Sequence, residues 1–219
     1  MIVHGIDLTA PALDQPIVVF DCETTGIGED HAVVECAAVR FEGGIPVAQW
    51  SSLINPGRDI PPEATAVHGI TNAGVADKPR LGDVAEHLRR VAAGAWPCAY
   101  NAPFDRGFLH ATIADGSCAL FDPACEWVDP LVVVRDADRF VPGTGRHKLE
   151  AACKRHGVQI EGAHRALADA LACGGLLYAL RERVGKMTLG ELLARTAKRR
   201  AVQDAEFRAY RDGVKGAAQ

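Results

Sequence analysis

A short, entirely apolar run that ends in two carboxylates constrains the fold of this chain most strongly. The run from Ile17 to Phe20 (IVVF) has only aliphatic and aromatic side chains, which is typical of a central strand buried on both faces. Asp21 and Glu23 follow it directly. Because residues two apart on an extended strand project from the same face, the sequence predicts a buried strand that carries both carboxylates on one side of the sheet.

Two neighbouring carboxylates at the end of a buried strand are unfavourable on their own, because they repel each other and lose solvation. A divalent cation removes this cost, and hard oxygen ligands suit Mg²⁺ or Mn²⁺. Asp-x-Glu is also a common tripeptide of protein surfaces, so a pair of ordinary surface charges remains the alternative at this point. The position between an apolar strand and a Thr-Thr-Gly turn is what suggests a ligand pair.

Hydrophobic periodicity and turn residues predict the other elements of the fold. Residues 32–41 and 45–54 are predicted to be strands joined by a hairpin at a Gly-Gly pair, and two shorter strands are expected at 98–100 and 127–129. Helices are expected at 80–93, 104–114, 148–156, 163–183 and 189–210. This order of elements predicts an α/β domain with a mixed central sheet flanked by helices.

The charge of the chain is divided unevenly. Residues 181–219 hold 10 Lys and Arg against 5 Asp and Glu, whereas residues 1–180 hold 14 against 23. The body is therefore acidic, unlike the basic surface that most nucleic-acid-binding proteins present. An acidic body fits either a metal-centred site or an ordinary solvated surface.

The chain divides into three predicted segments. A polar leader, expected to be poorly ordered, covers residues 1–15, one domain covers 16–184, and a basic helical extension covers 185–219. The extension has three possible roles: contact with a nucleic-acid backbone, binding of a partner, or packing of its leucines on the body, which Leu189, Leu192 and Leu193 favour. The basic residues of the extension include Arg195, Lys198, Arg199, Arg200, Arg208 and Arg211.

Composition argues against several classes of protein. No window approaches the roughly 18 consecutive apolar residues that a membrane span needs. The first residues lack a basic segment followed by an apolar one, so no secretory signal is expected. The seven cysteines form no Cys-x-x-Cys pair and have no histidine partners at zinc-site spacing, so they are expected to be reduced, mostly buried thiols of a cytoplasmic protein.

A third candidate carboxylate, Asp105, follows the expected strand at 98–100 in the segment Asn-Ala-Pro-Phe-Asp. An acidic residue in the first turn of a helix is also favoured by the helix dipole, and Asn101 has an ordinary role as a turn residue. Taken alone, this segment does not require a functional interpretation.

His164 and Asp169 form the last candidate pair. Five residues apart, they would lie about 140° apart around a helix, so they do not share a face. The sequence therefore favours His164 near the mobile start of the helix and Asp169 inside it, with both side chains directed into one cleft. Alanines at 163, 166, 168, 170 and 172 would let this helix approach the sheet closely, although alanine also simply favours helix and His164 has the alternative of an ordinary surface residue.

Four segments taken together resemble the successive motifs of the DEDD exonuclease superfamily. They are FDCETTG at 20–26, VHGIT at 67–71, NAPFD at 101–105 and HRALAD at 164–169. Because a histidine lies five residues before the last aspartate, the chain resembles the DEDDh branch of this superfamily. That branch includes the epsilon subunit of bacterial DNA polymerase III, exodeoxyribonuclease X, ribonuclease T and oligoribonuclease. The resemblance covers about residues 16–182.

This resemblance implies a ribonuclease H-like fold and a two-metal-ion 3′→5′ exonuclease that releases nucleoside 5′-monophosphates. His164 would be the general base on the attacking water, since imidazole accepts a proton near neutral pH. Two divalent cations, Mg²⁺ or Mn²⁺, would be held by Asp21, Glu23, Asp105 and Asp169. The terminal nucleotide would be held by Thr24, Val67, His68, Asn101 and Phe104, of which His68 has the alternative of an exposed loop residue and Phe104 that of a core aromatic.

Three functional hypotheses follow. The leading one is an exonuclease that acts on 3′ ends of DNA, single-stranded DNA above all, in proofreading or repair, with a DNA polymerase or a second copy of the chain as a partner. The second is an RNA-processing exoribonuclease of the ribonuclease T or oligoribonuclease kind, because the motifs contact metals and phosphates that both substrates share. The third is a catalytically silent, polymerase-associated scaffold, which would not need clustered carboxylates. Cys22 is expected to point into the core and not to act as a nucleophile.

Overall fold

The computed structural model of the protein describes residues 6–28, 30–113, 121 and 124–217, with side chains described except at 111–113 and 210–217. Its sheet contains four strands in the order β3-β2-β1-β4. β1, β2 and β3 are antiparallel neighbours, while β4 runs parallel to β1, so the predicted mixed sheet is confirmed. The strands are Ile17–Thr24 (β1), Val33–Glu42 (β2), Ile45–Leu53 (β3) and Trp96–Cys98 (β4).

Helices cover both faces of this sheet. The described α-helices are Pro62–His68 (α1), Asn72–Val75 (α2), Ala85–Ala92 (α3), Ala102–Ile113 (α4), Pro130–Ala137 (α5), Leu149–Arg155 (α6), Ala166–Ala179 (α7), Arg181–Val184 (α8) and Leu189–Ala217 (α9). Short 3₁₀ turns occur at Ala12–Asp14 and Leu81–Val84. α7 packs on one face of β1 and β2, and α3 packs on the other, where His87 stacks on Trp50 with ring centroids 5.6 Å apart.

β1 lies inside the sheet, between β2 and β4. Each residue from Ile17 to Phe20 is fully buried, which confirms the prediction made from the apolar run. On the face opposite α7, the Phe20 ring packs edge-on against Phe121, with ring centroids 5.7 Å apart, and lies tilted against Trp127 at 5.4 Å. The strand is therefore fixed from both faces before it reaches its carboxylates.

α7 approaches the sheet closely, as its alanine content predicts. Ala166, Ala170 and Ala172 are buried, and Ala166 and Ala170 are on the side of the helix that carries Gly174. Gly174 allows the closest approach, because a Cβ built there would lie 2.2 Å from the Phe41 ring of β2. Small residues on this helix thus set the distance between α7 and the sheet.

Some elements differ from the expectation. The strand expected at 127–129 is a single bridge between Cys98 and Val128, and the Val-rich segment after it is the helix α5. Asp129 caps that helix and Pro130 occupies its first position, so capping outweighs the strand preference of the valines. α1 and α2 lie in a segment for which no element was predicted. α7 begins at Ala166 because the backbone of His164 is left-handed, with a φ of 64°, so the helix cannot extend toward the N-terminus through this residue.

The expected leader and extension pack against each other. Residues 1–5 lie outside the described residues, but from residue 6 the expectation of a poorly ordered leader is wrong. Ala12 and Leu13 are buried, the Ala12 N–H donates to Met187 O at 2.9 Å, and the Leu189 N–H donates to Ala10 O at 3.0 Å. Leu189, Leu192 and Leu193 are buried, so the packing role predicted for these leucines is confirmed.

Six cysteines within the described residues are unbridged and buried: Cys22, Cys36, Cys98, Cys125, Cys153 and Cys173. The Cys22 thiol lies 3.7 Å from that of Cys36 on the face opposite α7, so it points into the core as expected. This contact, together with burial, raises the pKa of the Cys22 thiol, which keeps it unreactive. Among the helices that the structure describes, none combines the length and apolarity that crossing a membrane requires.

The contact between Gly174 and Phe41 yields a stability prediction. Gly174→Ala is expected to lower the free energy of unfolding by about 1–3 kcal/mol, because the added methyl group overlaps the ring and forces α7 or Phe41 to move. Gly107→Ala is the matched control, since this glycine is also inside a helix but has open space around it, and the substitution should stabilise by about 0.5–1 kcal/mol. Urea denaturation measures the free energy of unfolding of both variants. Equal effects would show that a methyl group at 174 fits between α7 and the sheet.

Candidate active site

The end of β1 delivers the first two carboxylates. Asp21 and Glu23 lie on the face of the sheet that α7 covers, since Glu23 is opposite Glu35 in the ladder and Glu35 contacts the start of α7. Both are partly buried. The alternation along the strand turns Cys22 to the opposite face, as the two-residue period requires.

Asp105 reaches the same place from the first turn of α4. Its carboxylate is buried, and its Oδ1 accepts the Cys22 N–H at 3.0 Å. This hydrogen bond ties α4 to β1 between the two strand carboxylates. The helix-dipole explanation of an acid at this position does not account for such a contact, which lies across 83 residues of chain.

The start of α7 brings His164 and Asp169 to these residues. The His164 N–H donates to Asp169 Oδ2 at 3.2 Å, so the chain folds back over the first turn of the helix. Ligand atoms of Glu23, His164 and Asp169 all lie within 4.8 Å of one another. The structure places Asp169 inside α7 as predicted, but α7 begins at Ala166 and not at 163, so His164 precedes the helix.

Negative charge accumulates at this point. Burial raises the pKa of Asp21 well above its usual range, and the charges of Asp105 and Asp169 add to the rise. Burial also raises the pKa of Glu23, from its ordinary value of 4.5 to about 7, with a further contribution from Asp169. Each carboxylate thus destabilises the ionised form of the others, because their charges are poorly solvated and close together.

This donor set fits divalent cations. The clustered groups are carboxylate oxygens plus one imidazole, and hard oxygen donors suit Mg²⁺ or Mn²⁺. Exposed acidic clusters are common without a metal. Here burial and mutual repulsion raise the carboxylate pKa values, so a bound cation would offset the unfavourable free energy of ionising these groups in the folded protein. The residues that would hold it are Asp21, Glu23, Asp105 and Asp169.

Glu35 supports the start of α7 and was not identified from the sequence. Buried on β2, it accepts two hydrogen bonds from Arg165 Nε at 3.1 and 3.2 Å, one from Arg165 Nη2 at 2.7 Å, and one from the Ala166 N–H at 3.0 Å. This carboxylate both caps α7 and clamps the residue after His164. A single charged residue inside an otherwise apolar strand (AVVECAAV) was the signal in the sequence.

Asp129 is the second supporting residue that the sequence did not reveal. Its buried carboxylate accepts the N–H groups of Asn101 at 3.1 Å, Ala102 at 2.7 Å and Leu131 at 2.9 Å. Asn101 is left-handed, with a φ of 69°, so Asp129 holds the turn from which α4 begins. The Asp-Pro pair before an apolar segment was the available signal.

The residues expected to hold a nucleotide have mixed environments. His68 is buried at the end of α1, which corrects the alternative of an exposed loop residue, and its Nδ1 accepts the Ile70 N–H at 3.0 Å while Nε2 has no partner among the described residues. The buried Thr24 hydroxyl donates to Gly26 O at 2.7 Å, and Val67 beside His68 is exposed. Asn101 is exposed, and Phe104 is half-buried with its ring 5.0 Å from that of Phe108.

His68 interacts electrostatically with residues around the candidate site. The Thr24 backbone and the charge of Glu35 act on its imidazole, as does nearby His164. Burial nevertheless lowers the pKa of His68, which favours its neutral form. A cavity of about 220 Å³ lies elsewhere, between α5, α8 and α9, and includes none of these residues.

Comparison with known sequences gives consistent matches. Residues 18–177 match the RNase T family model, whose description is exonuclease. The chain is 40% identical over 192 residues to a DNA polymerase III subunit epsilon-like protein of Rhodobacter capsulatus, covering 83% of this chain and 26% of that protein, so it spans about a quarter of that relative. It is 34% identical over 157 residues to the DNA polymerase III subunit epsilon of Treponema pallidum, covering 70% of this chain and 71% of that one.

Solved structures agree with these matches. Exonuclease X in complex with 5′ overhanging duplex DNA is 31% identical, with a TM-score of 0.64 over 82% of this chain and 99% of that chain. The nuclease domain of 3′hExo, a DEDDh family member bound to rAMP, is 14% identical and has a TM-score of 0.63 over 81% of this chain and 97% of that chain, which is a likeness of fold. The expected ribonuclease H-like α/β fold is thus confirmed.

The carboxylate repulsion leads to a prediction for the metal-free protein. Because the folded pKa of Glu23 is raised from 4.5 to about 7, the folded state binds more protons than the unfolded chain within that window, and stability must fall as the pH rises through it. With EDTA present, we expect Tm to fall by about 3–6 °C between about pH 5 and about pH 7.5. Mg²⁺ added at the higher pH should restore it, since it binds the folded state alone.

Asp105→Asn is the matched variant for this measurement. The Asn side-chain oxygen can still accept the Cys22 N–H, so the variant removes one charge and keeps the hydrogen bond. Its metal-free Tm at the higher pH should equal or exceed that of the wild type, and its response to Mg²⁺ should be weaker. A wild-type Tm that rises with pH in EDTA, or is indifferent to Mg²⁺, would contradict the assignment of a cation site.

Proposed function

This chain belongs to the exonuclease family, and on that premise we propose that it hydrolyses the terminal phosphodiester bond at the 3′ end of DNA and releases nucleoside 5′-monophosphates. The observation that carries the proposal is the cluster of Glu23, Asp169 and His164, whose ligand atoms lie within 4.8 Å of one another. Partly buried Asp21 and buried Asp105 add their charges to this cluster. A scaffold without catalytic activity has no use for carboxylates held together against their repulsion. We take residues 16–184 as the catalytic domain and residues 185–219 as an extension of it.

Each catalytic group has a defined task in this proposal. Two divalent cations, Mg²⁺ or Mn²⁺, would be held by Asp21, Glu23, Asp105 and Asp169. When bound, they supply charge neutralisation at the phosphate and a more acidic water. The carboxylates fix the positions of that positive charge on β1, α4 and α7, three elements that are rigidly packed together.

His164 would act as the general base. Its exposed imidazole accepts the proton of the attacking water, whose oxygen forms a new bond to phosphorus while the bond from phosphorus to the 3′ oxygen breaks. The departing 3′ oxygen takes a proton from solvent. The imidazolium that forms lies beside Glu23 and Asp169, which stabilise it until its proton passes to water.

The terminal nucleotide would be held by Thr24, Val67, His68, Asn101 and Phe104. The Phe104 ring offers a half-buried surface at the start of α4 on which a base can stack. Because Nδ1 of neutral His68 accepts the Ile70 N–H, the ring proton is on Nε2, which can donate one hydrogen bond. These residues belong to β1, to α1 and to the turn and first residues of α4.

DNA is the proposed substrate because relatives more than 30% identical have DNA-related names. They are the epsilon subunit of DNA polymerase III, PolC-type DNA polymerase III, and exonuclease X bound to duplex DNA. The PolC-type relative of Latilactobacillus sakei is matched over 11% of its length, so a domain like this one occurs within a much longer polymerase. A DNA polymerase is therefore the proposed partner, and the unbridged buried thiols fit a reducing cytoplasm.

Digestion of 5′-labelled oligonucleotides tests the proposal directly. Single-stranded DNA, duplex DNA and RNA of one sequence are each incubated with Mg²⁺, Mn²⁺ or EDTA. We expect a ladder that shortens from the 3′ end of DNA in either metal and is absent in EDTA. Asp169→Asn should reduce the rate by about 10³-fold or more, because it removes one metal ligand.

Two other results would overturn parts of this proposal. Faster shortening of RNA than of DNA would make the chain an exoribonuclease. A folded protein whose Tm responds to Mg²⁺ but which cleaves none of the three substrates would favour the scaffold, and a polymerase partner would then be sought by copurification.

Substitution of His164 separates a base from a metal ligand. His164→Asn should lower kcat by about 10²–10⁴-fold, while the Mg²⁺ concentration for half-maximal activity changes by less than about threefold. His87→Asn is the control, since His87 is an exposed histidine on α3 at the other face of the sheet, and its activity should match the wild type. A Mg²⁺ requirement that rises as steeply as kcat falls would instead make His164 a ligand.

A further inference from the structure

Two consecutive arginines of α9 reach two different carboxylates beside α5. Arg199 pairs with Asp136, in the last turn of α5, through Nε at 2.9 and 3.0 Å and through Nη2. Arg200 pairs through Nη2 with Asp129, which precedes the first turn of α5. Both are arginine–aspartate ion pairs, and they differ in the other hydrogen bonds that each carboxylate accepts.

Among the described residues, the Asp136 side chain accepts hydrogen bonds only from residues of α9, namely Arg199 and Gln203. Asp129 instead distributes its hydrogen bonds into the candidate active site. Its Oδ1 accepts the N–H groups of Asn101 and Leu131, and its Oδ2 accepts the N–H of Ala102 together with the Arg200 guanidinium. The start of α4 is thus linked to the C-terminal extension by two hydrogen bonds through a single side chain, that of Asp129.

Arg200 supplies the positive charge that this buried carboxylate needs. Only 3% of the Asp129 side chain is exposed, against 20% for Arg200. The other charged groups that act on Arg200 are Asp204 one turn further along α9, Glu126, and Arg106 of α4. Without the guanidinium, Asp129 would keep an uncompensated charge inside the protein, which either takes up a proton or turns toward solvent.

Protonation and rotation of Asp129 would both weaken the hydrogen bonds that hold the turn at 100–102, from which α4 begins. A protonated or rotated Asp129 accepts the Asn101 and Ala102 N–H groups more weakly. Ala102 is the first residue of α4, and Asp105 lies three residues further in the same turn. A shift of the turn therefore moves a proposed metal ligand and a proposed nucleotide contact together.

We infer that Arg200, in the C-terminal extension, is a positioning residue for the exonuclease site: it holds Asp129, and Asp129 orders the turn at 100–102 from which Asp105 is presented. The inference rests on the proposed function for its catalytic consequence. Arg200 lies beyond residue 177, where the family match ends, so the catalytic unit of this chain extends into α9.

Arg199 provides a matched control for Arg200, because it is the preceding residue of α9 and also pairs with an aspartate. Arg200→Met and Arg199→Met each remove one guanidinium from the same turn of the same helix, and each leaves a carboxylate beside α5 without its arginine. We expect both variants to lose thermal stability. We expect kcat/KM on single-stranded DNA to fall about 10–100-fold in Arg200→Met, mostly in kcat, and to stay within about threefold of wild type in Arg199→Met.

Amide hydrogen exchange measures the turn itself and does not depend on activity. In Arg200→Met the peptide covering residues 99–105 should exchange about tenfold faster or more, while in Arg199→Met it should exchange at the wild-type rate. Arg200→Lys should recover part of both effects, since it keeps the charge and loses the planar fork. Rates are measured well below the Tm of each variant, so that unfolded protein does not contribute.

Equal exchange at 99–105 and equal kcat/KM in the two methionine variants would overturn the inference, because Arg200 would then only stabilise the fold. If Arg200→Met does not fold, Arg200→Lys and Arg199→Lys are compared instead, and equal behaviour of that pair has the same meaning. A wild-type protein that degrades no substrate would refute the proposed function, whereas the exchange comparison would still decide the role of Arg200.

Discussion

The repulsion among buried carboxylates at the end of β1 is the constraint on which the rest of this structure depends. Asp21, Glu23, Asp105 and Asp169 come from three different elements, and burial raises the pKa of each. A flexible chain would separate them. Here each is on an element whose other contacts hold it in place, so the packing of the fold opposes the electrostatics of the site.

Directed hydrogen bonds at the starts of two helices supply that resistance. Glu35 caps α7 and clamps Arg165, and Asp129 holds the turn before α4. Each of these carboxylates is itself buried and paired with an arginine, so it carries little net charge into the cluster. The protein thus contains two kinds of acid shielded from solvent: paired ones that hold the backbone, and clustered ones that we propose bind a cation. Their surroundings, and not their residue type, separate these roles.

Much of the fold was predictable because its signals are local. The apolar run of β1, the Gly-Gly hairpin between β2 and β3, and the leucine spacing of α9 depend on residues within a few positions of one another, and each prediction was confirmed. The errors occurred where tertiary contacts decide. The strand expected at 127–129 forms only one bridge, with Cys98 of β4. Residues 6–15 are held by backbone hydrogen bonds to residues at and before the start of α9, which no local pattern predicts.

The sequence by itself determined which chemistry is available: an apolar strand ending in Asp-x-Glu, two later acids and a histidine, in an order that matches an exonuclease family. Only the tertiary structure decided which acids would be clustered and which would be paired. Glu35, Asp129 and Arg200 are unremarkable in the sequence, since their partners lie 130, 27 and 71 residues away. The physical reason is that the state of a carboxylate depends on its burial and on the charges within a few ångströms, and both exist only after the chain has folded.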